Sequence, residues 1–146
     1  MRDGRWTPGK QGDAGELSAA LWLAQHGADV FVPFGRSSDV DLVANFDDRV
    51  LRVQVKTSTF LREDRWEVRI CTRGGNQSWS GVAKYFDAAR VDYLFVHVGD
   101  GRRWFIPSSA IAATACLRIG GPKYAEYEIE PAQPLQSRSL SAEYTA

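Results

Sequence analysis

The 146-residue chain is long enough for one domain with a substantial core and too short for two comfortable ones. Its 44% hydrophobic and 25% charged residues exclude a disordered or fibrous chain, and 18 Lys+Arg against 18 Asp+Glu exclude both a globally basic nucleic-acid coat and a polyacidic tail. Any anionic partner therefore has to be met by a local patch. Asp3, Asp13 and Glu16 interrupt the first thirty residues, which hold no long apolar run. Neither a secretory signal nor a membrane span is expected, and the reading is cytosolic.

Residues 1–9, with two glycines and a proline, read as an arm. From Lys10 the spacing of Ala14, Leu17, Leu21 and Ala24 predicts a helix over about residues 12–26, with that stripe as its apolar face and Gly27 as its terminator. His26 marks the helix end. Val30, Val32 and Phe34 alternate as a half-buried strand before the polar loop Gly35-Arg36-Ser37-Ser38. Val40, Leu42 and Ala44 begin a second strand, Asp47-Asp48 has turn composition, and Leu51, Val53 and Val55 continue on one face of a third.

Trp66, Val68 and Ile70 predict a fourth strand, broken by a glycine-rich loop from Gly74 to Gly81 that carries Asn76, Gln77 and Trp79. This loop is suited to reaching a nucleic-acid groove and lacks the spacing of a phosphate loop. A short helix is expected over 84–90, strands over 93–98 and 103–106, and a second short helix through Ala113 capped by Ser108 or Ser109. Trp22, Trp66 and Trp104 follow apolar patterns and read as core. His97 alternates inside an apolar run. From Pro131 the chain reads as a flexible tail, which leaves a single domain over 10–130 between arm and tail. Cys71 and Cys116 are far apart, in no C-x-x-C or Cys/His cluster, and read as buried thiols and not as a zinc site or disulfide.

With Asp47 and Asp48 at the centre of the turn, residue 46 pairs with 49, 45 with 50, and so on outward. Asp41 then faces Gln54 and Asp39 faces Lys56. Directly opposed residues share a face with Cβ atoms about 4.5–5.5 Å apart, so Asp41, Gln54 and Lys56 converge, with Leu42, Val53 and Val55 on the other face. A carboxylate, an amide oxygen and an ammonium in one place suit a hard divalent cation beside an anionic oxygen, an arrangement for cleaving phosphodiesters. The plainer alternative is a solvated strand face with Asp39 and Lys56 as a surface ion pair.

Gly15-Glu16-Leu17, Asp41-Leu42-Val43-Ala44 and Val53-Gln54-Val55-Lys56-Thr57, in that order, resemble the PD-(D/E)xK nuclease superfamily. The resemblance runs from about Lys10 to Ile111, is nearest to the branch of intron-encoded homing endonucleases, and extends more distantly to archaeal Holliday-junction resolvases. It implies an α/β fold, a restriction-endonuclease-like mixed β-sheet flanked by helices, the first and at least one other. It implies Mg²⁺, or Mn²⁺, bound by Asp41, Gln54 and Glu16, with Lys56 activating water or stabilising charge on the phosphate. Gln54 stands where the commoner motif has an acid, and Val40 where it has proline. Asp39 ranks second to Asp41 as the strand acid.

Between Arg49 and Arg73 seven cations stand against three acids, a local balance of +4 inside a neutral chain. Arg52, Lys56 and Arg69 lie in this segment, beside the proposed site, where phosphate contacts are useful. Candidate contacts to double-stranded DNA are Arg36, Ser38, Arg52, Thr57, Arg69, Arg73, Gln77 and Lys84. Two strands need two centres, so a homodimer or homotetramer is expected. The rival readings are a structure-selective junction-resolving or repair nuclease and a catalytically inactive DNA-binding module of the same fold.

Overall fold

The computed structural model describes residues 6–35, 39–73 and 83–135. Its described residues hold one α-helix, α1 (Pro8–Gln25), and the strands β1 (Asp29–Phe31), β2 (Leu42–Phe46), β3 (Arg49–Ser58), β4 (Leu61–Arg62), β5 (Arg65–Arg69), β6 (Thr72–Arg73), β7 (Ala83–Lys84), β8 (Tyr93–Val98), β9 (Arg103–Pro107), β10 (Cys116–Ile119) and β11 (Glu128–Ile129). β1, β2, β3, β8, β9 and β11 lie side by side in that order as a mixed sheet. Only β3 and β8 run parallel within it. A parallel neighbour requires a crossover, and the chain between β3 and β8 uses its crossover to lay down β4 to β7.

Two layers cover the sheet. On one face α1 packs Ala19, Trp22 and Leu23 against Leu42, Ala44, Val53, Val55 and Phe95. On the other, Trp66, Val68 and Ile70 of the β5 segment and Leu117 and Ile119 of β10 pack against Leu94, Val96, Val98, Trp104 and Ile106. The second layer is the small sheet ordered β10-β5-β4. Its β4–β5 turn is Glu63-Asp64, both in the left-handed region at φ +51° and +60°, as a two-residue hairpin turn of matching twist requires.

Helix α1 begins four residues earlier than predicted. Thr7 is extended and its hydroxyl accepts the Lys10 N–H at 3.2 Å, and Pro8 occupies the first turn, where a missing N–H is harmless. The buried face also differs: it is Gly15, Ala19, Trp22 and Leu23, while Leu17 and Leu21 of the predicted stripe are 72% and 60% exposed. Both stripes have helical spacing, and close approach decided between them. A Cβ on Gly15 would overlap the Thr57 methyl, so only the small-residue face lets α1 lie against β3.

Several further expectations are corrected. Of the β1 region only Val30 turns inward; Val32 and Phe34 lie beyond the strand and are exposed. Residues 84–90 are not helical: Lys84 ends β7 and a turn follows. The helix expected after Ser108 is a single 3-10 turn, Ser108–Ala110, without a side-chain cap, so no second α-helix flanks the sheet among the described residues. Cys71 is half-buried and Cys116 exposed. Residues 131–135 do not fray: Ala132 N–H donates to the Gly101 carbonyl at 2.8 Å, the Gln133 carbonyl meets His97 Nε2 at 2.9 Å, and Leu135 is buried. The glycine-rich loop lies outside the described residues, between β6 and β7, which pair with each other. Trp22, Trp66 and Trp104 are core, as expected.

Candidate active site

The β2–β3 register is the one the turn arithmetic requires, with Phe46 opposite Arg49 and Leu42 opposite Val53. Asp41 is the next residue outward, where β2 begins. Its N–H donates to the Val53 carbonyl at 2.9 Å, and its carboxylate accepts the Val55 N–H at 2.8 Å. The side chain thus continues the ladder after the backbone of β2 has left it, which fixes one carboxylate oxygen on β3. Gln54 is buried and shares a small pocket with Asp39, Thr72, Lys84 and Tyr85. Lys56 is half-buried. The face that carries Gln54 and Lys56 is not a solvated one, because the second layer covers it.

Electrostatics couple Asp41, Lys56 and Glu16. Burial pushes the Asp41 carboxyl above the ordinary carboxylate range, against the opposing pull of the Val55 N–H and the Lys56 charge. Burial lowers Lys56, against the attraction of Asp41, Cys71 and Asp39. Glu16 reaches the same place from α1: its carboxyl is raised by burial and then by the negative charges of Asp41 and Asp13. Two acids are therefore held where each disfavours the other's ionisation, next to an ammonium that burial makes easier to deprotonate.

Among the described residues no three His, Cys, Asp or Glu side chains lie close enough together to hold a metal ion. The Glu16 and Asp41 carboxylates are hard oxygen donors, and Gln54, which lines the pocket with Asp39 and Lys84, carries an amide oxygen of the same kind. This set fits Mg²⁺, which is held through one or two carboxylates and completes its shell with water and phosphate. A cation would also relieve the repulsion between Glu16 and Asp41.

The remaining candidates separate. Arg52 is committed to Asp92, which accepts its backbone N–H at 2.7 Å and its Nε and Nη2 at 3.1 Å each, so this guanidinium is tied to the start of β8 and is not a ready phosphate ligand. Lys84 Nζ lies 3.0 Å from Asp39, beside Gln54. Asp39 also meets Arg90 at 2.9 Å, so among the described residues it is ion-paired to Lys84 and Arg90. Thr57 Oγ1 accepts a hydrogen bond from Gln11 Nε2 at 3.1 Å, on the α1 side of β3. Arg69 is exposed and forms no ion pair among the described residues. Arg36, Ser38, Gln77 and the Arg73 side chain lie outside the described residues.

Sequence reasoning missed Gln11, Gly15, Arg90 and Asp92. Gly15 carried a signal, a glycine inside a helical pattern directly before Glu16. The other three act on partners between 40 and 51 residues away in sequence and carried none.

The chain belongs to the PD-(D/E)XK endonuclease family, whose sequence model matches residues 7–134. Among solved structures, its fold is similar to that of a bacterial homing endonuclease, I-Ssp6803I, at a TM-score of 0.70 and 18% sequence identity, over 84% of this chain and 89% of that one. The α/β fold is therefore restriction-endonuclease-like. No curated protein matches the sequence significantly. No helix among the described residues is long and apolar enough to cross a membrane.

Proposed function

We propose that the protein is a Mg²⁺-dependent endonuclease that hydrolyses phosphodiester bonds of double-stranded DNA in the manner of a homing endonuclease, with Mn²⁺ able to replace Mg²⁺. The observation that carries this reading is the convergence of Glu16, Asp41 and Lys56, each with its ionisation shifted by burial, in a chain of an endonuclease family. Asp41, Gln54 and Glu16 would hold the cation. Bound there, a divalent ion polarises the phosphodiester and eases the ionisation of water.

The chain's own residues supply the rest. The Val55 N–H anchors the carboxylate that Asp41 presents. Lys56 Nζ, more readily neutral than a surface ammonium, takes a proton from the attacking water or, protonated, balances charge on the phosphate oxygens. Gln54 contributes a ligand without adding a third negative charge, so the substrate phosphate completes the balance. Arg69, in the groove with Thr57, suits the DNA backbone, and Lys84, in the pocket with Gln54, does so where phosphate competes with Asp39 for it. One chain offers one centre, so cutting both strands calls for a homodimer or homotetramer, acting in the cytoplasm.

Supercoiled plasmid tests the proposal. The purified protein is expected to produce linear DNA with Mg²⁺ or Mn²⁺ and none with excess chelator. Asp41→Asn and Lys56→Met should each slow cleavage by at least about 100-fold. Tight DNA binding without cleavage under any divalent ion would instead establish the inactive DNA-binding module.

A further inference from the structure

An open groove of about 530 Å³ lies beside Thr57, the residue that follows Lys56, and its walls include Phe60, Glu67 and Arg69. Phe60 is 60% exposed, yet its backbone is locked. Its N–H donates to Ser58 Oγ at 3.1 Å, its carbonyl accepts the Glu67 N–H at 2.9 Å, and Ser58 Oγ in turn donates to the Glu67 carbonyl. A large apolar ring is thus held toward solvent on a rigid support.

Charge in the groove is equally selective. Glu67 is paired with Arg62 at 3.7 Å, whereas Arg69 has no acid partner among the described residues. Cys116 also lines the groove, its thiol pushed up by partial desolvation and by the Glu67 charge, so it adds no anion. The groove therefore offers one flat apolar surface and one unpaired guanidinium, and its volume lies in the range that takes a compact ligand of about nucleotide size. A base stacks on such a ring and a phosphate pairs with such a guanidinium. Duplex DNA presents no base face for stacking unless a nucleotide leaves the helix.

We propose that this groove receives one unstacked nucleotide flanking the scissile phosphate, its base against Phe60 and its phosphate at Arg69. The proposal rests on the nuclease reading, because Cys71, which lines the groove, lies near enough to act on the Lys56 charge and so places this nucleotide next to the cut. It predicts that one unpaired nucleotide beside the cleavage position adds affinity to that which the duplex already has.

The test is equilibrium binding in Ca²⁺, read by fluorescence anisotropy, of two labelled probes: a blunt duplex and the same duplex ending in a short single-stranded tail. The tailed probe should bind about 10-fold more tightly. Phe60→Ala should erase that margin and leave blunt-duplex affinity unchanged, and Phe60→Trp should keep it. Arg69→Ala should weaken the tailed probe and lower the slope of its salt dependence by about one unit. Equal binding of both probes by the unaltered protein, or a margin that survives Phe60→Ala, overturns the groove proposal and leaves the nuclease reading intact wherever plasmid is still cut. Failure to bind either probe, with plasmid uncut, overturns the nuclease reading and the groove proposal with it.

Discussion

Two acid–base pairs sit along β3, four residues apart, and they are built to opposite ends. Arg52 and Asp92 are about half and one-third exposed, joined by three hydrogen bonds, and those bonds hold the Asp92 carboxyl below its ordinary range and Arg52 above its own. Lys56 and Asp41 are half-buried, and both are shifted toward their neutral forms in spite of their mutual attraction. The first pair fastens β3 to the start of β8 with charges left comfortable. The second keeps its charges uncomfortable, which suits groups that exchange protons or await a cation.

Breaking the second pair should produce the largest effect, and on activity alone. Asp41→Asn and Lys56→Met are expected to lose cleavage by at least about 100-fold without lowering the melting temperature at pH 8. The sign follows from the shift. A carboxyl raised by folding makes a stability contribution that falls as pH climbs from the unfolded value through the folded one, so removing its charge costs nothing there. A melting temperature well below that of the parent protein would show Asp41 to be a structural residue.

Gly15→Ala should damage stability and activity together. The added Cβ meets the Thr57 side chain on one side and Val55 at 3.4 Å on the other, so α1 must lift from β3 and carry Glu16 with it. Chemical denaturation should show a loss of about 1–3 kcal/mol.

Gln54→Glu probes the proposed ligand set, since it adds a carboxylate at a buried position that shares its pocket with Asp39. Without metal the variant should melt at a lower temperature than the parent, and saturating Mg²⁺ should raise its melting temperature by more than it raises the parent's. Identical shifts would place Gln54 outside the ligand set.

Metal affinity itself should depend on pH. Protons compete for Glu16 and Asp41 over a range above that of ordinary carboxylates, so Mn²⁺ measured by calorimetry should bind more weakly at pH 5 than at pH 8.

The smallest effect is expected at the first pair. Asp92→Asn should lower the melting temperature by roughly 1–3 °C near neutral pH and leave cleavage within about twofold. Because the Asp92 carboxyl is lowered by folding, its contribution is present above the unfolded value and is lost as pH falls through the folded one. The difference between parent and variant should therefore close in acid.

The hairpin was legible because a strand repeats every two residues and Asp47-Asp48 fixes the register, which sets Leu42 opposite Val53 from arithmetic alone. The inner face of α1 was not. Two stripes shared helical spacing, and the choice lay in the clearance over Thr57, which no local pattern carries. The second layer was hidden for a related reason. Trp66, Val68 and Ile70 announce a strand, but only tertiary packing lays it over Lys56 and turns a polar strand face into a buried one. The same distance concealed Asp92, 40 residues from Arg52, so the basic segment looked freer to meet DNA than it is.

Asp41, with Glu16 and Gln54, is proposed to form a divalent-cation site beside Lys56. Anomalous scattering from crystals soaked in Mn²⁺ measures this directly. A manganese peak in contact with the Asp41 carboxylate, with Glu16 or Gln54 completing its protein ligands, is the predicted result; at saturating Mn²⁺, manganese bound elsewhere with none at Asp41 would contradict it.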